Sequence, residues 1–239
     1  MTAHRFYGDL ASWWPLISPA EEYREEAAFV ATLLRPASSV LELGSGGGHN
    51  AVHLKRHFSI TLSDLSPGML AESRKINPEL AHHQGDMRTM RLGQRFDAVF
   101  AHDAIEYMTT EADLRAAIDT AYVHTKPGGR AVFVPDDTTE SFTPETDHGG
   151  VDGPDGRAAR YLSWSYDPDP GDTTTVTEYA FLLRDNGATI SVHERHETGL
   201  HSSDTWLRLL RAAGFAPAAV TEETSEDRRP RTLFIGTRG

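Results

Sequence analysis

The sequence predicts an α/β fold: a Rossmann-like, doubly wound, mostly parallel sheet with a small antiparallel sheet inserted into it. Three observations predict it. Residues 40–135 alternate short apolar runs with helical patterns, the signature of βαβ units. A glycine-rich turn, Gly44-Ser45-Gly46-Gly47-Gly48, stands directly after the first of these runs and before a helix. Residues 136–200 then change to strand-like segments joined by polar turns.

The runs VLEL, SITLSDL, LAHHQ, FDAVFAH and RAVFV supply five strands. Between the second and third, Ser66-Pro67 provides an N-cap with proline at the first helical position, and Asn77-Pro78 ends that helix. A longer helix, capped at Thr109 or Thr110, puts Leu114, Ile118 and Tyr122 on one face and is expected to run to Pro127-Gly128-Gly129. In the insert, RYLSWSY, TTTVTEYAFLLR and ATISVHERHETG read as strands, and Asn186-Gly187 as a hairpin turn. After it, SSDTWLRLLRAAGF places Trp206, Leu209, Leu210 and Ala213 on one helix face before Gly214, and AAVTEE and TLFIGTRG close the sheet. Residues 1–135 and 201–239 therefore form the sheet-bearing domain, and 136–200 an inserted subdomain at its ligand edge.

The chain has 239 residues, a formal net charge of -12 and no cysteine. Such a charge repels nucleic-acid phosphates and anionic membranes, so neither is expected as a partner. Lack of cysteine excludes disulfides, thiolate metal sites and a cysteine nucleophile, and fits a cytoplasmic protein. No segment approaches the roughly 18 apolar residues of a membrane span, and the N-terminus has no signal-peptide core.

In a doubly wound sheet, ligands bind at the carboxyl ends of the strands, where Gly44, Asp64, Asp86 and His102 fall. The glycines Gly44, Gly46 and Gly48 follow an acid, Glu42, whereas a dinucleotide fingerprint would need glycine where His49 stands. Such turns also serve nucleotides or simple close packing. Asp64, twenty residues past Gly44, can accept both hydroxyls of a ribose; the plain alternative is a solvated turn aspartate. An alanine there is expected to cost ligand affinity and little stability. Asp86, in Gly85-Asp86-Met87-Arg88, is a third acid at a strand end.

The glycine loop resembles motif I of the class I methyltransferases that use S-adenosylmethionine. Gln84-Gly85-Asp86-Met87-Arg88, with Arg91-Leu92-Gly93 and Phe96-Asp97-Ala98-Val99, is similar to the N-methyltransferases that dimethylate nucleotide-linked amino sugars in actinomycete antibiotic pathways. The resemblance spans nearly the whole chain from Phe6. It implies that Tyr7 covers the cofactor from the N-terminal segment, and that Gly44 and Gly46 face its methionine part. Asp64 and Leu65 would meet the ribose, Asp86 and Met87 the adenine, and Met69 the adenosine side, while Ala101 and His102 would lie beside the methionine portion. The expected function is methyl transfer to a small-molecule amine of a secondary metabolite, with the insert matching no amino-sugar pattern. An O-methyltransferase, an NAD-dependent oxidoreductase and a non-catalytic cofactor-binding protein are the alternatives.

An amine acceptor needs only a free, aimed lone pair, whereas a hydroxyl gains more from a base. His102, Asp103, Glu106 and Tyr107 stand near the donor, and His102 and Tyr107 are named as catalytic candidates. Trp14, Tyr107, Asp136, Trp164 and Tyr179 are named for the acceptor, with the insert as its roof; the rival reading of the insert is a sheet that pairs two copies into a homo-oligomer. No metal site is expected. On a strand His193 and Glu197 share a face while His196 points away, which reads as a polar edge strand, and the adjacent His82 and His83 diverge as well.

Overall fold

The computed structural model describes residues 4–222, 224–225 and 229–239. After short turns of 3-10 helix, the chain runs through α1 (Trp14–Ile17), α2 (Arg24–Leu34), β1 (Ser39–Leu43), α3 (His49–Leu54), β2 (Ser59–Asp64), α4 (Pro67–Ile76), β3 (Ala81–Gln84) and β4 (Phe96–Ala101). It continues through α5 (Glu111–His124), β5 (Thr125–Phe133), β6 (Glu145–Asp152), β7 (Ala158–Tyr166), β8 (Thr174–Asp185), β9 (Ala188–Gly199), α6 (Ser203–Ala213), β10 (Phe215–Thr221) and β11 (Thr232–Arg238).

The main sheet has the order β3-β2-β1-β4-β5-β11-β10, with β11 antiparallel to its neighbours. Its strands are apolar on both sides because both sides are covered. Leu41, Leu43, Val99 and Phe133 meet α5 and α6, while the alternate residues Val40, Ile60, Phe100 and Val132 meet α2 and α3. Trp206 of α6 stacks on Phe234 at 4.9 Å. Ser66, Thr110 and Ser202 each cap a helix by accepting a backbone N–H, and Gly214 ends α6 in the left-handed region at φ 104°.

Two expectations need correction. Helix α5 stops at His124, and Pro127-Gly128-Gly129 lies inside β5, whose register against β4 shifts between Phe96 and Ala98. The insert holds four strands, not three, in the order β6-β7-β8-β9. The segment ETDHGGVD carries no apolar alternation, yet it pairs with β7 along its length. Its glycines answer to bulky partners: a Cβ at Gly149 would stand 2.7 Å from the Tyr161 ring, and one at Gly150 2.1 Å from Arg160. Asn186 and Gly187 take φ 48° and 80°, as a tight hairpin turn requires.

The inner face of this second sheet is held by the N-terminal segment. Phe6, Leu10 and Trp13 pack on Ala159, Phe181, Leu183 and Val192, and the Phe6 and Phe181 rings stack at 4.5 Å. The N–H of Phe6 donates to Glu194 at 2.8 Å.

Candidate active site

Strand order reverses between β1 and β4, and a cavity of about 1440 Å³ opens at that point, between the carboxyl ends of the main sheet and the inner face of the insert. Pockets that hold one drug-sized ligand run to roughly 300–1000 Å³, so this continuous space has room for two molecules side by side.

At the floor the glycine loop bends through positive φ at Gly44 (70°), Gly46 (51°) and Gly48 (75°). A Cβ on Gly44 would lie 2.4 Å from Cβ of Ala104 and 2.8 Å from Cε of Met87, so a side chain there would fill the cradle. Asp64 closes the loop: one carboxylate oxygen accepts the Gly46 N–H at 2.7 Å, the other the Ser66 N–H at 2.8 Å. Burial raises its pKa, and those two N–H groups oppose the rise. Around the loop, Oε2 of Glu42, Oγ of Ser45, Nδ1 of His49 and Oδ1 of Asn50 are buried and without hydrogen-bond partners among the described residues. Burial pushes Glu42 up to about 8. Orphaned polar atoms around such a cradle are what a polar ligand such as the amino-acid part of S-adenosylmethionine would satisfy.

The other cofactor candidates also line the cavity: Tyr7, Leu65, Met69, Asp86 and Met87. Leu65 is 54% exposed there, an apolar surface that a ligand would cover. Tyr7 is held over α4 because the Ser66 hydroxyl donates to its carbonyl and because Gly68 lets the backbone approach, a Cβ at 68 standing 2.7 Å from the Gly8 carbonyl. Asp86 accepts from Arg88 through both oxygens, which lowers its pKa, and Arg88 also reaches Asp113 at 2.9 Å. Ala101 is the exception. It is fully buried in the strand, and Ala104 takes its place at the cavity wall.

His102 lines the cavity but is not a free base. Its ring pairs with Glu26 and lies 3.0 Å from Asp103. Burial opposes its charge, yet Asp103 and Glu26 outweigh that and push its pKa to about 10, so it has no lone pair to offer at neutral pH. The same acids belong to Arg231, which bonds Glu222 at 3.0 Å, Asp136 at 2.9 Å, Asp103 at 3.2 Å and also Glu26. Asp136, with 52% of its side chain open to the cavity, is raised to about 7 by enclosure and by the Asp103 charge, against the pull of Arg231. Glu106 rises for the same reasons, burial first and then Asp136 and Asp103, and it accepts the N–H groups of Asp136 and Asp137 at 2.6 and 3.1 Å.

Tyr107 stands at the centre of the wall. Its hydroxyl oxygen is 3.0 Å from that of Tyr7, to which it donates, and 2.6 Å from Nδ1 of His196, whose Nε2 is 3.0 Å from Glu194. Burial raises the pKa of both tyrosines, so they stay protonated and act as hydrogen-bond relays. The phenol has one proton, and rotating it from Tyr7 to Nδ1 leaves the Tyr107 oxygen free to accept a hydrogen bond from the cavity. Glu194 and His196 were missed in the sequence, where His196 read as pointing away. Period two resolves this: His193 faces out to Glu178 at 2.8 Å, while Glu194, His196 and Thr198 share the inner side. The ring of His4 lies on that of His196 at 3.9 Å and 22°, and one ligand atom from each of His4, Glu194 and His196 lies within 4.8 Å of the others, a grouping that the sequence reading, which expected no metal site, did not foresee.

Of the acceptor candidates, Trp14, Tyr107, Asp136 and Tyr179 line the cavity. Trp164 does not. It is 53% exposed on the outer face of the insert, against Tyr166 at 4.6 Å, because even-numbered residues of β7 point away from the cavity and the odd-numbered Tyr161, Ser163 and Ser165 point in.

Residues 40–129 match a family model described as a methyltransferase domain. The chain is 32% identical over 223 residues to dTDP-3-amino-3,4,6-trideoxy-alpha-D-glucopyranose N,N-dimethyltransferase of Streptomyces venezuelae, covering 90% of this chain and 91% of that one. Among solved structures it is similar to the sugar N-methyltransferase KedS8 from Streptoalloteichus, with 28% identity, a TM-score of 0.84, and 96% of this chain and 92% of that one covered. It is also similar to CalS10, an amino pentose methyltransferase from Micromonospora echinaspora solved with its methyl donor bound, with 28% identity, a TM-score of 0.77, and 91% and 92% covered. Together with the glycine cradle, the orphaned polar atoms around it and the acid at the end of β2, these likenesses place the chain: it belongs to the S-adenosylmethionine-dependent methyltransferases, in the family that contains the amino-sugar N-methyltransferases.

Proposed function

We propose that this chain transfers methyl groups from S-adenosylmethionine to the amine of a sugar-like secondary metabolite. The observation that carries the reading is one continuous cavity that joins the glycine cradle to a hydroxyl-bearing insert face. The donor supplies an electrophilic methyl on a sulfonium. The chain supplies the rest. Gly44, Gly46 and Asp64 hold the donor, with Leu65, Met69, Asp86 and Met87 along its adenosine side. Tyr7 and the insert exclude water. An acceptor amine arrives as ammonium and must lose a proton before it can attack, and Tyr107 can pass that proton to His196, whose charge Glu194 then stabilises. Proximity does the remainder.

Residues 136–200 form the acceptor subdomain in this reading, since the groups around the donor precede residue 110. We place the activity in the cytoplasm without a nucleic-acid or membrane partner, supported by the acidic charge. Among the described residues no helix is long and apolar enough to cross a membrane. The test is to incubate the protein with the methyl donor and a panel of amino sugars, simple amines and phenols, and to read methyl addition by mass. Methylated amines are expected; methylation confined to phenols would overturn the reading.

A further inference from the structure

We infer that the acceptor is a polyhydroxylated molecule carrying at least two amino groups and no phosphate, such as a free aminocyclitol or diamino sugar. The inference rests on the amine-methylation reading above and adds the acceptor's charge. It separates this chain from a relative whose name specifies a nucleotide-linked sugar.

The acceptor end of the cavity is acidic. Asp137, Glu145 and Asp147 line it beside Asp136, which is paired with Arg231, and the Tyr161 hydroxyl donates to Asp147 at 2.9 Å. A diphosphate entering this space would meet these charges and would need free cations to offset them. Among the described residues, the arginines of the cavity are Arg229 and Arg231. Arg231 is consumed by Glu26, Glu222, Asp103 and Asp136. Arg229 is engaged by the Ser141 carbonyl at 2.7 Å and by Thr143, and it lies 3.4 Å from Glu145.

A second observation concerns the roof. The inward positions of the insert strands carry small hydroxyls, with Ser165 and Thr177 paired at 2.9 Å and Thr175 and Thr198 paired at 2.9 Å. These groups both donate and accept, which matches the hydroxyls of a polyol, and the Tyr161 and Tyr179 rings give a face to its C–H surface or to a cation. The amine to be methylated must shed its proton, so it cannot also serve as the charge the acids hold. A second ammonium fills that role.

The test uses the full chain saturated with S-adenosylhomocysteine and calorimetry with three probes: a diaminocyclitol, glucosamine, and a nucleoside-diphosphate amino sugar. Initial rates with the methyl donor accompany it. The diaminocyclitol is expected to bind about tenfold tighter than either other probe, an advantage that shrinks with salt. The double variant Glu145→Gln, Asp147→Asn is expected to remove most of that advantage while leaving donor affinity unchanged. Tighter binding or faster N-methylation of the nucleotide sugar overturns the inference and leaves the amine-methylation reading standing, as does an absence of diaminocyclitol binding. Methyl transfer to oxygen alone overturns the reading itself.

Discussion

Replacing Asp64 by alanine separates the two duties of one carboxylate. Each of its oxygens already accepts a backbone N–H, from Gly46 at 2.7 Å and from Ser66 at 2.8 Å. Stranding a buried donor costs about 1–3 kcal/mol, and here the low end applies because cavity water can reach the loop and because an enclosed carboxylate no longer has to stay charged. The fold should therefore lose about 2 kcal/mol, a fall in Tm of roughly 4–8 °C for a chain of this size. That revises the expectation from sequence alone, in which Asp64 carried little structural weight. Loss of a charged acceptor for two ribose hydroxyls should weaken the methyl donor by a further 1.5–3 kcal/mol or so, about 10- to 150-fold in Kd. Calorimetry with S-adenosylhomocysteine at a temperature where both proteins are folded isolates the second effect, and thermal unfolding without ligand measures the first. Asp64→Asn should fall between the parent and alanine in stability, since its amide oxygen still accepts one N–H. A folded alanine variant with the parent's Kd would refute the ribose role, and an unchanged Tm would refute the loop-closing role.

Other outcomes follow from the same geometry. Gly44→Ala pushes a methyl to 2.4 Å from Ala104 at φ 70°, so donor binding should be abolished and stability should drop by about 2–5 kcal/mol, read by calorimetry and unfolding. His102 has a folded pKa of about 10 against an ordinary 6.5, so the stability it adds is complete below pH 6.5 and lost as pH climbs through 10; His102→Gln should flatten that slope in Tm against pH. His196→Asn should lower kcat about 10- to 100-fold near neutral pH with donor Kd unchanged, and high pH, where the amine is already deprotonated, should restore much of it; a uniform loss at every pH would argue for a structural role only. Tyr179→Ala should lower acceptor turnover, whereas Trp164→Ala, on the outer face, should leave turnover and donor Kd unchanged, and equal losses in both variants would contradict the assigned faces.

Much of the donor half was legible because it is written locally. A strand followed by closely spaced glycines commits the backbone to positive φ whatever surrounds it, and acids at consecutive strand ends converge wherever parallel strands lie side by side. Gly44, Asp64 and Asp86 could therefore be put at one edge of the sheet from spacing, whereas the adenine side assigned to Asp86 and Met87 came from the family resemblance. Helix ends followed the same logic at Ser66, Thr110 and Gly214. Long-range pairing decided the rest. His102 looks like a base until Glu26, 76 residues earlier, and Arg231, 129 residues later, join its neighbour Asp103 and fix its charge, and no spacing rule reports on partners so far along the chain. Strand β6 was invisible because its glycines serve Tyr161 and Arg160 on a neighbour and not any pattern of its own. The division between Trp164 and Tyr179, and the recovery of His196 for the cavity, followed from which face of a period-two strand met the N-terminal segment. The alternation was in the sequence, but only the packing of Phe6 and Trp13 on that sheet chose which side is in.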